Sequence, residues 1–279
     1  MDDEKAPAAS LDPAVLGIDP DVPSVARIYD YYLGGRENFP SDRAKAEEMI
    51  RLAPGAVEAA RENRAFLGRV VHTLAAEGVR QFIDIGAGLP TQENVHQIVQ
   101  RIDPDSRTVY VDFDPAVLVH ARALLTEADN AVVVEGDARH PAAVFGDPAL
   151  RAHIDLTRPV AVLLIALTHF LSDEHADALV GHVRRAVPSG SYLAITQMFP
   201  GDHPPEYVKE AAAVYSGTNT GGVVGRGRAH IASWFDGMEL LEPGVARVES
   251  WRPPAREGGP AGEADEGAPG ILGAVGRIP

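Results

Sequence analysis

The sequence contains no cysteine, which excludes disulfide bonds and metal sites built on thiolates. A chain without cysteine suits a reducing compartment, so we expect a cytoplasmic protein. No apolar run is long enough to cross a bilayer, and no charged start leads into an apolar stretch, so we expect neither a membrane span nor a secretory leader. With 279 residues, 45% of them hydrophobic, the chain can bury the core of a large globular domain.

Positive charge is also scarce. The formal net charge is −15, with 25 basic against 40 acidic residues, and the basic residues form no stripe and do not alternate with aromatic ones. Nucleic acid is therefore not an expected partner. The ten histidines show no His-Glu-x-x-His or similar spacing, so no metal site is expected.

The first 78 residues precede any strand pattern and divide into two parts. Residues 1–22 hold prolines, acidic residues and alanines without periodicity, and we expect a disordered tail. Residues 23–78 carry three helical patterns, which predict a helical cap. The first helix begins after Ser24 and ends at Gly34-Gly35, the second begins at Ser41 or Asp42 and ends before Pro54, and the third covers about 57–77.

From residue 79 onward, short apolar runs alternate with helical patterns. Strands are predicted at 82–85, 108–112, 131–135, 160–165 and 191–198. This alternation is typical of βαβ units and a parallel sheet, so 79–279 is expected to form one α/β domain.

The last part of the chain breaks this alternation. After a predicted helix at 205–215, the glycine-rich segment 216–228 is expected to be a mobile loop. Segments 245–251 and 271–278 have the composition of strands with no helix between them, which implies an antiparallel hairpin. The proline-, glycine- and glutamate-rich segment 253–269 between them is expected to be disordered.

Acidic residues stand at or just after the ends of three successive predicted strands. The first strand leads into Asp84, Gly86 and Gly88, the second ends at Asp112, and the third leads to Asp137. In an open parallel sheet these ends share the edge where ligands bind. Asp112 can accept hydrogen bonds from both hydroxyls of a ribose and Asp137 from an adenine amino group. Backbone N–H groups around Gly86 and Gly88 can meet a carboxylate or phosphate.

Two nucleoside-bearing cofactors fit these strand ends, a dinucleotide and S-adenosylmethionine. A dinucleotide site also has a glycine-rich turn and an acid about twenty residues on, as Asp112 is. The third glycine of that fingerprint is missing, since Gly86-Ala87-Gly88 leads to Thr91. Asp137 and the terminal hairpin favour S-adenosylmethionine, and an NAD-dependent oxidoreductase stays as the alternative.

Five motifs follow the order and spacing of the class I methyltransferase motifs, which the chain therefore resembles. They are Asp84-x-Gly86-x-Gly88, Tyr110 to Pro115, Glu135 to Ala138, Leu167 to Leu171 and Pro188 to Leu193. More narrowly, the chain resembles an actinobacterial family of S-adenosylmethionine-dependent methyltransferase-like proteins first described as a domain of unknown function. That likeness rests on Ala26 to Gly35 with Asn38 and Asp42, on Gly88 to Thr91, and on Phe235 to Gly244.

The resemblance covers residue 23 to the C-terminus apart from 253–269. It implies a Rossmann-like α/β fold whose mostly parallel seven-stranded sheet has the order 3-2-1-4-5-7-6, with strand 7 antiparallel and helices on both faces. It also implies transfer of a methyl group from S-adenosylmethionine to an acceptor that it does not name, and we expect a small molecule. The cofactor-binding positions that match are Asp84, Gly86, Ala87, Gly88, Asp112, Phe113, Asp137 and Ala138.

Two residues are candidates for the catalytic step. Methyl transfer is an in-line displacement that needs positioning, water exclusion and, for a protonated nucleophile, a base. His169, just past the fourth strand, is the candidate base, unless it packs over the cofactor or caps the next helix. Tyr32 is expected near the methyl donor if the cap covers the strand ends as a lid. The alternative function is a sensor that binds S-adenosylmethionine without turnover.

Overall fold

The structure is a computed structural model that describes residues 13–90, 93–128, 130–253 and 267–279. Short apolar runs in this part of the chain form strands, and amphipathic runs form helices. The helices are α1 (Val25–Tyr32), α2 (Pro40–Leu52), α3 (Ala56–Ala76), α4 (Val95–Ile102), α5 (Pro115–Leu124), α6 (Pro141–Gly146), α7 (Pro148–His153), α8 (Asp173–Ala186), α9 (Pro205–Val214) and α10 (Arg228–Ser233). The strands are β1 (Gln81–Ile85), β2 (Arg107–Asp112), β3 (Ala131–Glu135), β4 (Ala161–Leu164), β5 (Tyr192–Phe199), β6 (Glu239–Leu240), β7 (Ala246–Arg247) and β8 (Gly270–Arg277).

All these strands belong to one sheet with the order β3-β2-β1-β4-β5-β8-β6, and β7 also pairs with β8. Strands β1 to β5 are parallel, whereas β8 runs antiparallel to β5. The predicted fold class and strand order are therefore confirmed. Strand β8 takes the place of predicted strand 7, and the short β6 and β7 take that of strand 6.

Helices cover both faces of the sheet, as the alternation along β1 requires. Ile83 and Ile85 pack on one face with α6, α7 and α8, and Phe82 packs on the other with α3 and α4. Every residue of β1 is buried, including Asp84 near its end. The side chain of Asp84, near the carboxyl end of this central strand, is thus buried between the helices that cover the sheet.

Helices α1 and α2 form a cap, together with the start of α3. Ser24 caps α1 by accepting a hydrogen bond from the Arg27 N–H, and the Arg27 guanidinium forms a buried ion pair with Asp42 at 2.7 Å. Asp42 also accepts from the N–H of Ser24 at 2.9 Å, so its carboxylate joins the start of α1 to α2. A separate apolar cluster packs these helices against the region of α9 and Tyr215.

The segment 216–228 differs from the mobile loop that its glycines suggested. Its backbone is tied to the core, because the N–H of Val224 donates to the His169 carbonyl at 2.7 Å and that of Arg226 to the Met198 carbonyl at 3.0 Å. The buried Arg226 guanidinium also donates to the carbonyls of Thr168 and Leu171, both at 2.8 Å. These bonds hold the segment beside the strand ends.

The predicted strand 245–251 is wrong beyond Ala246–Arg247, where the chain turns into a 3₁₀ helix. Trp251 is fully buried and meets the edge of Phe66 with ring centroids 5.2 Å apart. Arg69 of α3 donates to the carbonyls of Val248 and Trp251, which supplies partners that a ladder would otherwise give. Burial of the indole against α3 therefore outweighs continued strand pairing.

Two expected disordered segments fall mainly outside the described residues, namely 1–12 of the N-terminal tail and 254–266 of the loop before β8; Thr91 is also outside them. Residues 13–22 contain a 3₁₀ turn, and the carbonyls of Asp19 and Val22 accept from Arg27. Among the helices of the described ranges, none has the length and apolarity that a bilayer crossing needs.

Candidate functional site

The carboxyl ends of β1 to β4 open into a cleft of about 1180 Å³, measured with its open mouth. Its floor comes from the turns after these strands, and its walls come from α1, α3 and the segment around Asn219. This is the edge of the sheet at which the sequence placed a ligand. Of the predicted cofactor-binding residues, all eight line the cleft: Asp84, Gly86, Ala87, Gly88, Asp112, Phe113, Asp137 and Ala138.

The turn after β1 requires glycine at two positions. Gly86 has φ +74° and Gly88 has φ +66°, both in the left-handed region. A Cβ on Gly86 would lie 2.8 Å from Leu167 Cδ1, whereas one on Gly88 would meet nothing within 4 Å. The first glycine is thus required by packing as well as by conformation.

The N–H groups of this turn are engaged within the protein, which differs from the expectation that they would bind a ligand. Those of Gly86 and Ala87 donate to the Val111 carbonyl at 2.8 and 3.3 Å, and that of Gly88 donates to Asp112 Oδ2 at 3.0 Å. Asp112 Oδ1 accepts from the Asp114 N–H at 2.9 Å. The Asp112 carboxylate therefore fixes the glycine turn, and it also lines the cleft.

The acids at the ends of β1 and β2 are both destabilised as anions. Burial raises the pKa of Asp84 to about 7, with a smaller rise from Asp112 and an opposing effect from Arg64. Burial raises the pKa of Asp112 to about 6 despite its bonds from the N–H groups of Asp114 and Gly88. A cation in the cleft would stabilise both carboxylates.

The turn after β3 forms a second, more open part of the cleft. Asp137 pairs with Arg139, whose Nε lies 2.9 Å from Oδ1 and 2.8 Å from Oδ2. Burial would raise the pKa of Asp137, but these bonds outweigh it and lower that pKa. The guanidinium lies 5.8 Å above the ring of Phe113, which is 37% exposed, while Ala138 is buried. The partly exposed ring of Phe113 therefore lies beside Arg139, which is already paired with the Asp137 carboxylate.

The cap closes the cleft from the opposite side. Val25, Ala26, Tyr29, Asp30 and Leu33 of α1 and its end line the cleft, so α1 lies across the strand ends. The carboxylate of Asp114 joins the pieces of this wall: it accepts from the Ser24 hydroxyl, from Asn219 Nδ2 at 3.0 Å, and from the Ala116 N–H at 2.8 Å.

The two predicted catalytic residues do not line the cleft. His169 is buried in a 3₁₀ turn against Phe170, and its Nδ1 has no hydrogen-bond partner among the described residues. Burial, together with Arg226, lowers the pKa of His169 to about 3, so the ring is neutral. The hydroxyl of Tyr32 lies 3.2 Å from that of Tyr215 inside the apolar cluster of the cap. Neither side chain is placed to exchange a proton with a molecule in the cleft.

Several lining residues escaped the sequence analysis, among them Asn63, Arg64 and Asn219. Arg64 carried a signal, since it is the one charged residue on the otherwise apolar stripe of α3 formed by Val57, Ala60, Leu67, Val71 and Leu74. A charge on a core-facing stripe indicates a polar partner. Asn219 stands in a glycine-rich segment and gave no such signal.

The charge of the lining favours a cationic ligand. Five carboxylates, of Asp30, Asp84, Asp112, Asp114 and Asp137, face only two guanidinium groups, of Arg64 and Arg139. A dinucleotide brings a doubly charged pyrophosphate, which such a lining repels, whereas S-adenosylmethionine carries a sulfonium. Across the described ranges, no group of three or more His, Asp or Glu side chains is arranged to hold a metal ion.

Comparison with known proteins gives the same cofactor. The pattern of the family described as S-adenosyl methyltransferase matches residues 13–279. A crystal structure of a candidate methyltransferase from Thermobifida fusca YX is 37% identical and superposes with a TM-score of 0.86, over 97% of this chain and 99% of that one. A DUF574 family protein from Streptomyces avermitilis MA-4680 is 40% identical with a TM-score of 0.83, over 94% and 99% of the two chains.

No curated protein matches the chain. The family pattern nevertheless spans the cap, the glycine turn and the strand-end acids, and both solved structures share the architecture over nearly their full length. The choice between S-adenosylmethionine and a dinucleotide, which the sequence left open, is settled in favour of the former. The chain belongs to the S-adenosyl methyltransferase family.

Proposed function

We propose that this protein transfers the methyl group of S-adenosylmethionine to a small molecule bound beneath the cap. The observation that carries the proposal is the acid-rich cleft at the strand ends, closed by α1. Its excess of carboxylates suits a cationic methyl donor. The donor supplies an electrophilic methyl carbon on a sulfonium, so the protein's task is to bind, orient and exclude water.

The side chains along the cleft support the cofactor-binding roles that we propose. Asp112 would accept from the ribose hydroxyls, since its carboxylate lines the cleft and, among the described residues, only backbone N–H groups donate to it. Asp84, with no hydrogen-bond donor among the described residues, would face the cationic methionine end, and Arg64 beside it would meet the carboxylate. Phe113 would lie against the adenine, with Asp137 and Ala138 at its edge.

A small acceptor fits the cap better than a macromolecule does. The wall opposite the strand ends contains apolar side chains, including Val25, Leu33 and Phe170. Helix α1 is fastened on the core through Asp114 and Asn219, so a bulky partner would have to displace it. We infer that residues 23–78 act as the acceptor-side cap, that 79–279 holds the cofactor, and that the protein works in the cytoplasm, in keeping with the lack of cysteine.

Calorimetric titration with S-adenosylmethionine, S-adenosylhomocysteine and NAD in parallel tests the proposal without the acceptor. We expect both adenosyl compounds to bind with one site per chain and NAD to give no heat above dilution. Binding of NAD alone would contradict the cofactor assignment. Failure of all three to bind would contradict the proposal as a whole.

A further inference from the structure

Two side-chain oxygens in the cap lack hydrogen-bond partners although they are shielded from solvent. Among the described residues, six buried side-chain polar atoms are unpartnered, and only Asp30 Oδ1 and Asn63 Oδ1 belong to residues that line the cleft. A buried acceptor without a donor is costly, so each one calls for an explanation. A ligand that brings two hydrogen donors would provide it.

The orientation of Asn63 is fixed by its neighbours. The carbonyl of Ala60 can only accept, so the Tyr29 hydroxyl donates to it, at 2.9 Å. The Tyr29 oxygen then accepts from Asn63 Nδ2 at 3.0 Å. This chain of bonds makes the amide nitrogen face Tyr29 and leaves Oδ1 as the free acceptor.

The carboxylate of Asp30 is held in a similar way. Its Oδ2 accepts from the Glu37 N–H at 2.9 Å and from Asn38 Nδ2 at 2.7 Å, whereas Oδ1 accepts nothing. Gly35 packs directly against the carboxylate, because a Cβ there would lie 1.9 Å from Oδ1. The turn after α1 thus requires this glycine and keeps the acid in one position.

Asp30 is also the acid of the cleft that has no other assigned partner. Asp137 has Arg139, and Asp114 has Ser24, Asn219 and the Ala116 N–H. In the proposed function, Asp84 and Asp112 serve the cofactor. One carboxylate oxygen on the cap side therefore remains for the acceptor.

We propose that the methyl acceptor is an amine, and that Asp30 and Asn63 bind its nitrogen through their free oxygens. The inference rests on the proposed methyl transfer, because only then does a nucleophile share the cleft with a methyl donor. A protonated amine supplies the hydrogen donors that both oxygens lack and adds positive charge to an acid-rich lining. An anionic acceptor would add a further negative charge to it.

The same carboxylate can take the proton that an ammonium must lose before it attacks. The proton moves from nitrogen to Asp30, the nitrogen lone pair forms the N–C bond, and the C–S bond breaks with its electron pair left on sulfur. The products are a methylated ammonium, S-adenosylhomocysteine and protonated Asp30, which returns its proton to solvent. Burial raises the pKa of Asp30, although the hydrogen bonds from Asn38 and Glu37 act to lower it. The charge of Glu37 adds a smaller rise and that of His120 a smaller decrease. A raised pKa makes the carboxylate a better proton acceptor for this transfer.

Sinefungin tests the proposal because it carries an amine in place of the methylsulfonium. Its affinity for the full chain is compared by calorimetry with that of S-adenosylhomocysteine, which has no charge at this position. We expect sinefungin to bind about tenfold tighter or more, as a hydrogen bond to a charged group allows. A ratio near one in the unmodified protein would overturn the proposal without any variant.

The variant Asp30→Asn should abolish this preference and leave the affinity for S-adenosylhomocysteine within about twofold. Its carbonyl oxygen can keep the bonds from Glu37 and Asn38, and its NH₂ then replaces the free acceptor. Glu37→Gln is the matched control, because it removes one charge beside Asp30 from a residue outside the cleft lining. A second variant, Asn63→Leu, should remove part of the preference.

An equal loss of affinity for both compounds in Asp30→Asn, or no loss for either, would overturn the amine assignment. If the unmodified protein bound neither compound, the proposed methyl transfer itself would fail instead. The two failures are thus distinguished by the same titrations.

Discussion

Replacement of Asp84 by Asn should stabilise the ligand-free protein at alkaline pH. Burial raises the pKa of this carboxyl from 3.8 to about 7. The folded chain therefore holds a proton between about pH 4 and pH 7 that the unfolded chain has released, so its contribution to stability is full below pH 4 and is lost as the pH rises to 7. The difference of about three pKa units corresponds to about 4 kcal/mol at pH 8, an upper bound.

Urea unfolding of both proteins without ligand between pH 4.5 and pH 8 measures this effect. The free-energy difference between variant and unmodified protein reports the titration of Asp84 together with its interaction with Asp112, because the other titrating groups are common to both. We expect the advantage of Asp84→Asn to grow as the pH rises and to level off above about pH 7. The variant should also bind S-adenosylmethionine less tightly, because it lacks the anion that we propose faces the cationic end of the cofactor.

If the stability advantage of Asp84→Asn shrank with rising pH or stayed constant, the argument that burial destabilises the Asp84 anion would be refuted. Unchanged affinity for S-adenosylmethionine would separately refute its place beside the cationic end of the cofactor. Together, the two results test whether the Asp84 carboxylate lowers the stability of the ligand-free protein and strengthens the binding of the cofactor.

Two further predictions concern the neighbouring strand end and the buried histidine. Asp112→Asn should weaken the affinities for S-adenosylmethionine and S-adenosylhomocysteine equally, by about tenfold or more, because the ribose is common to both. Glu135→Gln, which changes the exposed neighbour of Asp112 in register on β3, is the calorimetric control. An unchanged affinity in Asp112→Asn would contradict the ribose assignment. His169→Leu should leave both affinities unchanged and make the fold less acid-sensitive. The folded ring has a pKa of about 3 and stays neutral while the unfolded ring is protonated below 6.5, which costs about 3 kcal/mol at pH 4.5. Urea unfolding at pH 4.5 and 7.5 measures it, and equal acid sensitivity of the two proteins would argue against a neutral buried ring.

The parts of the site that the sequence predicted lie at the carboxyl ends of regular strands or in the turns directly after them. Apolar runs located β1 to β4, and the right-handed βαβ rule brings their carboxyl ends to one edge, so Asp84, Asp112 and Asp137 were placed together by topology alone. Their roles toward the cofactor remain predictions. The cap helices were likewise visible in the spacing of their apolar residues.

The parts that escaped prediction depend on where a side chain points after an irregular turn. The 3₁₀ turn Thr168–Phe170 buries His169 beside Arg226, and the spacing of residues along the chain does not specify such a rotation. Helical periodicity placed Arg64 on the inner face of α3 but did not show what that face meets. Bonds to backbone carbonyls fix Arg226 and its segment, and composition alone suggested only flexibility.

The bonds at Asp114 also bear on the order in which the protein folds. Ser24 and Asn219 reach this carboxylate across 90 and 105 residues of chain, and the Val25 N–H meets Asn219 Oδ1 across 194. Closing loops of this length costs more chain entropy than closing the short loops that join β1 to β2 and β2 to β3. We therefore expect these three strands to pair before the contacts at Asp114 form, so that the cap docks on strand ends that are already in place.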